Sequence, residues 1–550
     1  MKTQKKTYIF ALVPFLLLCL LFEIIPVIFT VIRSFFPEGG DMGFTLDNYI
    51  NIFTGKLYQQ AIVNSLLISI LSSVIGLLVA FIGAKAVHEE KGKLKQVFMS
   101  ILNMVSNFSG VPLAFAYIIM FGNIGVMTMI GANYGIEFLA EFPLYSVWGL
   151  LLIYVYFQIP LSTLLLIPAF DSIRKEWKEA VALLGGSRMT FWRKVGIPVL
   201  MPSILGTFSV LFANALAAYA SAYALLMNNV SLLPIRLSEQ FVGDIIQRPE
   251  FGSAIAVIMM VFMVIAIGVQ NKMTPKKGGE TLMNTEKKKR NAGSKIAIIV
   301  IIVYLLLPLV MTLIYSLFQE WIDVMPTGFT LGAYTELFTD PLFWKAVGRT
   351  VIISIVPIVL CTVFVLLAMY VVVVYHPEWD KMIQILCTIP YAIQGVILPI
   401  CVLSLYSSAP EPFGDRMFML VATYMVVILP YVYQGIRNNL NGVGAPRLIE
   451  AAQMLGASKF YAFFRVVIPN IMSGVTISVM LAMAIVFGDF VIINTLAGGQ
   501  FMTAQMYLYD VMKKSGQRTC AVIVILFLVT LIISACAFFL QSKGKDRKDR

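Results

Sequence analysis

Charge is what this chain of 550 residues has least of. Only 13% of its residues are Asp, Glu, Lys or Arg, against 59% hydrophobic, and its mean hydropathy is +0.86. A soluble globular chain is about a quarter charged, so the composition is that of an integral membrane protein. Histidine is almost missing. His88 and His376 are the only two, and each closes an apolar run next to acidic residues, which suits a hydrated helix end better than a metal site. The six cysteines (Cys19, Cys361, Cys387, Cys401, Cys520 and Cys536) lie in or at the edge of apolar runs. They show neither metal-ligand spacing nor a disulfide framework, so packing accounts for them. No G-x-x-x-x-G-K-[ST] loop occurs, so the chain does not itself cradle nucleotide phosphates in the usual way. No His/Asp/Cys constellation and no paired carboxylates converge at one membrane depth, which argues against a membrane enzyme.

Long apolar runs are there instead, each able to cross about 30 Å of hydrocarbon. The hydropathy pattern predicts an all-α chain with spans near 8–33, 61–87, 97–122, 144–170, 199–227 and 251–271. A second six fall near 296–318, 348–375, 382–405, 417–436, 470–496 and 519–541. The basic N-terminal segment precedes an apolar run too long for a signal peptide and shows no small-residue cleavage site, so it reads as a retained helix. Ten of the 41 Lys and Arg residues fall on one side (Arg33, Lys56, Arg236, Arg248, Lys345, Arg349, Arg416, Lys513, Lys514 and Arg518) and the other 31 on the opposite side. By the positive-inside rule both termini are cytoplasmic. The formal net charge of +12 is therefore a topology signal, and nucleic acid is not an expected partner.

The chain repeats itself. A polar, basic, Gly-containing stretch, 272–295, separates residues 1–271 from 296–541, and a short basic tail covers 542–550. "FTLDNYINIFT" (Phe44 to Thr54) returns as "FTLGAYTELFT" (Phe329 to Thr339) in the first outer loop of each half. Six spans per half put both halves into the membrane in the same sense, as parallel repeats about an axis along the membrane normal, with any substrate path on that axis.

The most specific repeat is polar. "EAVALLGGSRMTFWRKVGIP" (from Glu179) and "EAAQMLGASKFYAFFRVVIP" (from Glu450) occupy the cytoplasmic loops 171–198 and 437–469, between spans four and five of each half. Trp177, Ala180, Val181 and Leu184, and likewise Leu448, Ala451, Ala452 and Leu455, recur at helical spacing and predict one apolar face on a short helix. Gly185 and Gly456 follow where a left-handed residue ends a helix. Ser187 and Ser458 are placed to cap a second helix, and Pro198 and Pro469 suit the first turn of the next span. Amphipathic helices lying on the lipid surface have similar composition. Two copies with the same Glu, Gly, Ser and Pro favour docking onto a duplicated partner.

Glu179-Ala180 with Gly185, Val195, Ile197 and Pro198 resembles the EAA motif of binding-protein-dependent ABC importer permeases. Glu450-Ala451-Ala452 with Gly456, Val466, Ile468 and Pro469 matches it more fully, the first copy departing at Val181. The resemblance covers essentially the whole chain as two fused permease domains, like those of ferric-iron, thiamine, polyamine and phosphonate importers. It implies a bacterial inner-membrane permease without a cofactor of its own. Its two EAA loops, through Glu179, Ala180, Gly185 and Ser187 and through Glu450, Ala451, Ala452, Gly456 and Ser458, would each grip one of two cytoplasmic ATPase subunits. Those subunits would bind ATP and Mg, and an extracytoplasmic binding protein would deliver substrate.

Charges inside spans are functional candidates, because lipid penalises them. Gly488-Asp489-Phe490, mid-way along the fifth span of the second half, are candidates for lining the path or gate, or for a packed polar contact beside a Gly kink. The first half has Ala217-Ala218-Tyr219 there. Glu23 is expected to pair at a helix interface or to face the other half. A twelve-span secondary transporter is the competing class, but "HEEKGKLKQ" (His88 to Gln96) lacks the Gly/Asp/Arg-rich pattern usual between its spans two and three. The low charge of the spans and the fusion lean the substrate toward ferric iron, by resemblance only.

Overall fold

In a computed structural model of the full chain, residues 8–39, 43–90, 92–106, 108–226, 229–242, 247–273, 292–321 and 326–548 are described. Most of the expected linker, and the last two residues of the tail, lie outside them. The first half comprises α1 (Ile9–Arg33), α2 (Lys56–Glu89), α3 (Val111–Phe121), α4 (Val147–Asp171), α5 (Lys175–Leu183), α6 (Ile197–Ala217) and α7 (Pro249–Met273). The second comprises α8 (Ala292–Ser316), α9 (Pro341–Val374), α10 (Ile397–Tyr406), α11 (Arg416–Gly442), α12 (Ala445–Met454), α13 (Ile468–Phe487) and α14 (Gly516–Lys548). Among the described residues, eleven helical stretches are long and apolar enough to cross a membrane, one of them Val111–Tyr134, made of α3 and the helix Val126–Tyr134 that follows it, and α10 is a shorter apolar helix. The helices α2 and α9 have 34 residues each, roughly 50 Å at 1.5 Å per residue, and so extend beyond the hydrocarbon.

Two pairs of spans differ from the continuous helices the hydropathy predicts. The third span of the first half divides into Lys93–Val105 and α3, with Gly110 at φ +73° between them. Its counterpart divides into Asp380–Leu386, a 3-10 turn at Ile389–Ala392 and α10, with Gly395 at φ +67°. A Cβ on Gly395 would lie 2.3 Å from the carbonyl oxygen of Ala217, so the break lets the second half touch the first at close range. The fifth spans also break. The helix α6 ends at Ala217 and resumes at Ala220–Leu226, and α13 ends at Phe487 and resumes at Val491–Leu496. Hydropathy averages over a window and is blind to such interruptions, because the flanking residues remain apolar.

The repeat extends to individual hydrogen bonds. The hydroxyls of Ser34 and Tyr49 lie 2.7 Å apart, as do those of Ser316 and Tyr334. The Thr45 N–H donates to the Phe35 carbonyl and the Thr330 N–H to that of Leu317, both at 2.8 Å. These bonds fix the two copies of the expected outer loop, each of which carries a short helix (Asp47–Thr54 and Gly332–Thr339).

The halves exchange their first helices. The helix α1 packs on α9 and α10 of the second half, while α8 packs on α2 and α3 of the first. Tyr156 donates to the Leu305 carbonyl at 2.6 Å, and Tyr406 to the Leu21 carbonyl at 2.8 Å, so a tyrosine of each half holds the first helix of the other. Glu23 lies on this interface, fully buried in a π-helical turn at Leu20–Ile24. Both its carboxylate oxygens are without a hydrogen-bond partner among the described residues.

Candidate coupling surface and membrane path

The two repeated loops fold alike. After α5 the chain turns at Gly185, with φ +72°; the Gly185 N–H donates to the Ala182 carbonyl and the Gly186 N–H to that of Val181. After α12 it turns at Gly456, with φ +86°; the Gly456 N–H donates to Gln453 and the Ala457 N–H to Ala452. Both are Schellman ends, in which the left-handed residue satisfies carbonyls that the helix leaves open. The Ser187 hydroxyl then accepts from the Thr190 N–H and the Ser458 hydroxyl from the Tyr461 N–H, each at 3.2 Å. A π-helical turn follows in each copy, and Pro198 and Pro469 sit at the start of α6 and α13.

The apolar face expected on each short helix is divided. Trp177 and Val181 are half-buried against the protein's own body, while Ala180 and Leu184 are exposed. In the second copy Leu448 is half-buried and Ala452 buried, so of its two alanines only Ala451 is presented outward. The outward surface gains Leu183 and Met454, which helical spacing did not single out. Leu183, Leu184, Met454 and Leu455 are 89%, 87%, 88% and 90% exposed. A signal was present, since both copies set a pair of large apolar residues directly before the turning Gly. Glu179 and Glu450 stand exposed beside these tips, and neither has an ion pair among the described residues.

Each corner is tied to its half by aromatic contacts. The Lys178 ammonium lies 5.6 Å from the Phe191 ring centroid and 5.9 Å from that of Trp192, and Lys459 lies 4.7 Å from Tyr375. Burial holds the Lys178 ammonium below its ordinary range, against the opposing pull of Glu89. Tyr375 stacks on Tyr8 of the exchanged first helix at 4.2 Å. His376 bonds the Tyr8 hydroxyl and Glu378, and His88 bonds Asp171 at 2.9 Å.

In the second half Asp489 accepts from the Tyr424 hydroxyl and from the Ile492 N–H, both at 2.9 Å. It therefore holds the break between α13 and Val491–Leu496. Gly488 is exposed, whereas Phe490 is buried with its ring centroid 5.3 Å from that of Tyr509 and 6.0 Å from that of Tyr223 in the first half. The Asn494 amide donates to the Tyr219 hydroxyl at 3.2 Å, which joins the two broken fifth spans directly. At the C-terminal end of α1, Arg33 donates to Glu250 of its own half and to the carbonyl and hydroxyl of Ser404 in the other.

Two parallel six-helix repeats, sharing a seam and presenting two equivalent loops on one face, define a membrane transport component. The chain belongs to the family described as binding-protein-dependent transport system inner membrane component, whose model matches residues 72–279 and again 325–543. It is a fused double-domain permease of the ABC importer type. Among curated relatives it is similar to the thiamine transport system permease ThiP of Escherichia coli, at 19% identity over 88% of this chain and 89% of the relative. It is also similar to the ferric transport system permease FbpB of Actinobacillus pleuropneumoniae, at 23% over 84% and 68%. A third relative is a protein of Salmonella typhimurium provisionally named 2-aminoethylphosphonate transport system permease PhnV, at 26% over 37% and 76%. A crystal structure of a bacterial ABC transporter that imports the acidic polysaccharide alginate matches 50% of this chain and 98% of that one, at TM-score 0.42 and 17% identity.

Proposed function

We propose that this permease forms the substrate path along the seam of its two halves (residues 1–271 and 296–541, joined by 272–295) and is driven by two copies of a separate ATPase. One ATPase subunit docks on each repeated loop. Glu179, Ala180, Gly185 and Ser187 serve one site, and Glu450, Ala451, Ala452, Gly456 and Ser458 the other. ATP and Mg belong to those partners. The observation that carries this reading is the pair of similarly built corners whose large apolar tips stand almost fully exposed beside a carboxylate with no ion pair among the described residues. Burying an exposed Leu or Met side chain is worth about 1.5–3 kcal/mol, so exposed apolar tips of this kind suit an interaction site.

Both termini and the linker face the cytoplasm, and the outer loops meet a substrate-loaded binding protein. Gly488, Asp489 and Phe490 line or gate the path. The substrate is ferric iron, thiamine or an organophosphonate, the substrates in the relatives' names, with ferric iron the first expectation from sequence and a polyamine an alternative carried by the sequence resemblance alone. Native mass spectrometry of the complex purified with its ATPase tests the coupling: one permease chain with two ATPase subunits is expected, and a complex holding a single ATPase subunit contradicts it.

A further inference from the structure

The two corners share a contact that leads out of their own half. Arg188 and Lys459 hold the same place, first in the short helix that Ser187 or Ser458 caps (Arg188–Phe191 and Lys459–Tyr461). Each reaches the C-terminal end of the second span of its half. The Arg188 guanidinium lies 3.6 Å from the carboxylate of Glu89, the last residue of α2. The Lys459 ammonium lies 4.7 Å from the ring centroid of Tyr375, the residue that follows α9.

Glu89 and Tyr375 in turn touch the first helix of the other half. The Ser294 hydroxyl, in the first turn of α8, donates to Glu89 at 2.6 Å. Tyr8, the residue before α1, sets its ring nearly parallel to that of Tyr375, with 8° between the planes and 4.2 Å between centroids, and its hydroxyl lies 2.9 Å from His376 Nε2. One copy is polar and the other aromatic, yet the order of contacts is the same: corner cation, end of the second span, first helix of the opposite half. Ser294 is buried and the Glu89 side chain is 16% exposed, so their bond is charge-assisted and largely shielded from water. In the other copy a cation–π pair and a stacked ring pair supply the grip. The Arg188–Glu89 pair is the weakest link, because the Arg188 side chain is 66% exposed.

Resting on the coupling reading, we infer that these contacts form a crossed relay, in which each ATPase-docking corner moves the first helix of the opposite half. The positioning residues are Glu89 and Ser294 in one copy and Tyr375 and Tyr8 in the other. Further along, Tyr156 holds α8 at the Leu305 carbonyl and Tyr406 holds α1 at that of Leu21, so each first helix rides on the half it packs against. Each also runs on along the chain into the second span of its own half, α1 into α2 and α8 into α9. One ATPase subunit therefore acts on both halves at once, and the halves move together. Coupling between separated sites is shown by both ends moving, so the test reads motion.

The test uses the full chain with its bound ATPase in nanodiscs. Cys536, which is exposed, is replaced by Ser, and spin labels are attached at Ile9→Cys in α1 and Ile296→Cys in α8, both exposed positions. ATP with vanadate is the probe. The distance between the labels is read by double electron–electron resonance, and phosphate release from ATP is measured beside it. The labelled parent should change its distance on trapping. Ser294→Ala combined with Tyr8→Ala should lose more than half of that change, while ATPase association and hydrolysis stay near those of the parent. Ser294→Thr combined with Tyr8→Phe keeps the hydroxyl for Glu89 and the ring for Tyr375, and should restore the change. An unmoved distance in the parent, an equal change in the alanine pair, or a Thr/Phe pair that behaves like the alanine pair overturns the relay. A parent chain that holds no ATPase would instead contradict the coupling reading itself, and the relay with it.

Discussion

Tyr424 donates its hydroxyl to Asp489 across 2.9 Å, and Tyr154 makes the same reach in the first half, to the backbone carbonyl of Ala218 across 2.7 Å. Both tyrosines are buried in the fourth span of their half and both hold the broken fifth span. The geometry is shared and the acceptor is not: one half uses a peptide oxygen where the other has placed a carboxylate. The second half therefore carries a carboxyl group at a joint that the first half closes without one.

That difference separates a structural from a functional role for Asp489. Asp489→Asn keeps an acceptor oxygen for Tyr424 and Ile492, whereas Asp489→Ala forfeits both bonds and should cost about 1–3 kcal/mol of stability. If the charge serves the path or gate, Asp489→Asn should lower uptake while thermal unfolding and ATPase association stay near wild type. Unchanged uptake by Asp489→Asn would leave packing as its role.

The orientation rests on the three-to-one basic asymmetry and is checked with single cysteines in intact cells. An impermeant maleimide should label a cysteine placed in 40–56 or 408–414, and should leave one in 280–290 unlabelled. Labelling of 280–290 from outside would invert the topology and remove both loops from the cytoplasm.

The exposed tips predict a division of effects along each short helix. Leu184→Asp and Leu455→Asp alter side chains that are almost fully exposed in this structure, so they should leave folding unchanged and weaken ATPase co-purification at least about tenfold. Trp177→Ala removes a ring packed on the permease itself and should lower thermal stability. Equal co-purification by Leu455→Asp and wild type would mean that the tip is not a docking surface.

Much of this molecule was legible in sequence, because membrane spans and duplicated loops are written in local composition. Runs of apolar residues mark α1, α2 and α9, and the order Glu, Gly, Ser, Pro marks the corners at Gly185 and Gly456, whose left-handed turns need a residue without Cβ. What escaped depends on partners distant in the chain. The need for a residue without Cβ at Gly395 comes from Ala217, in the other half, whose carbonyl oxygen would lie 2.3 Å from that Cβ. Arg33 looked like one more outer charge until Glu250 and Ser404 closed around it. The inward turn of Ala452 depends on the body beneath α12, which helical periodicity does not show.

The central claim is that two equivalent corners transmit the work of a separate ATPase, and ATP-dependent uptake by one combined variant tests it most directly. Gly185 and Gly456 hold φ of +72° and +86°, angles that proline, fixed near −65°, does not reach. A chain carrying Glu179→Arg, Gly185→Pro, Glu450→Arg and Gly456→Pro should still insert in the membrane, lose its ATPase on purification and take up no substrate. Uptake at the wild-type rate by that chain would contradict the coupling assignment.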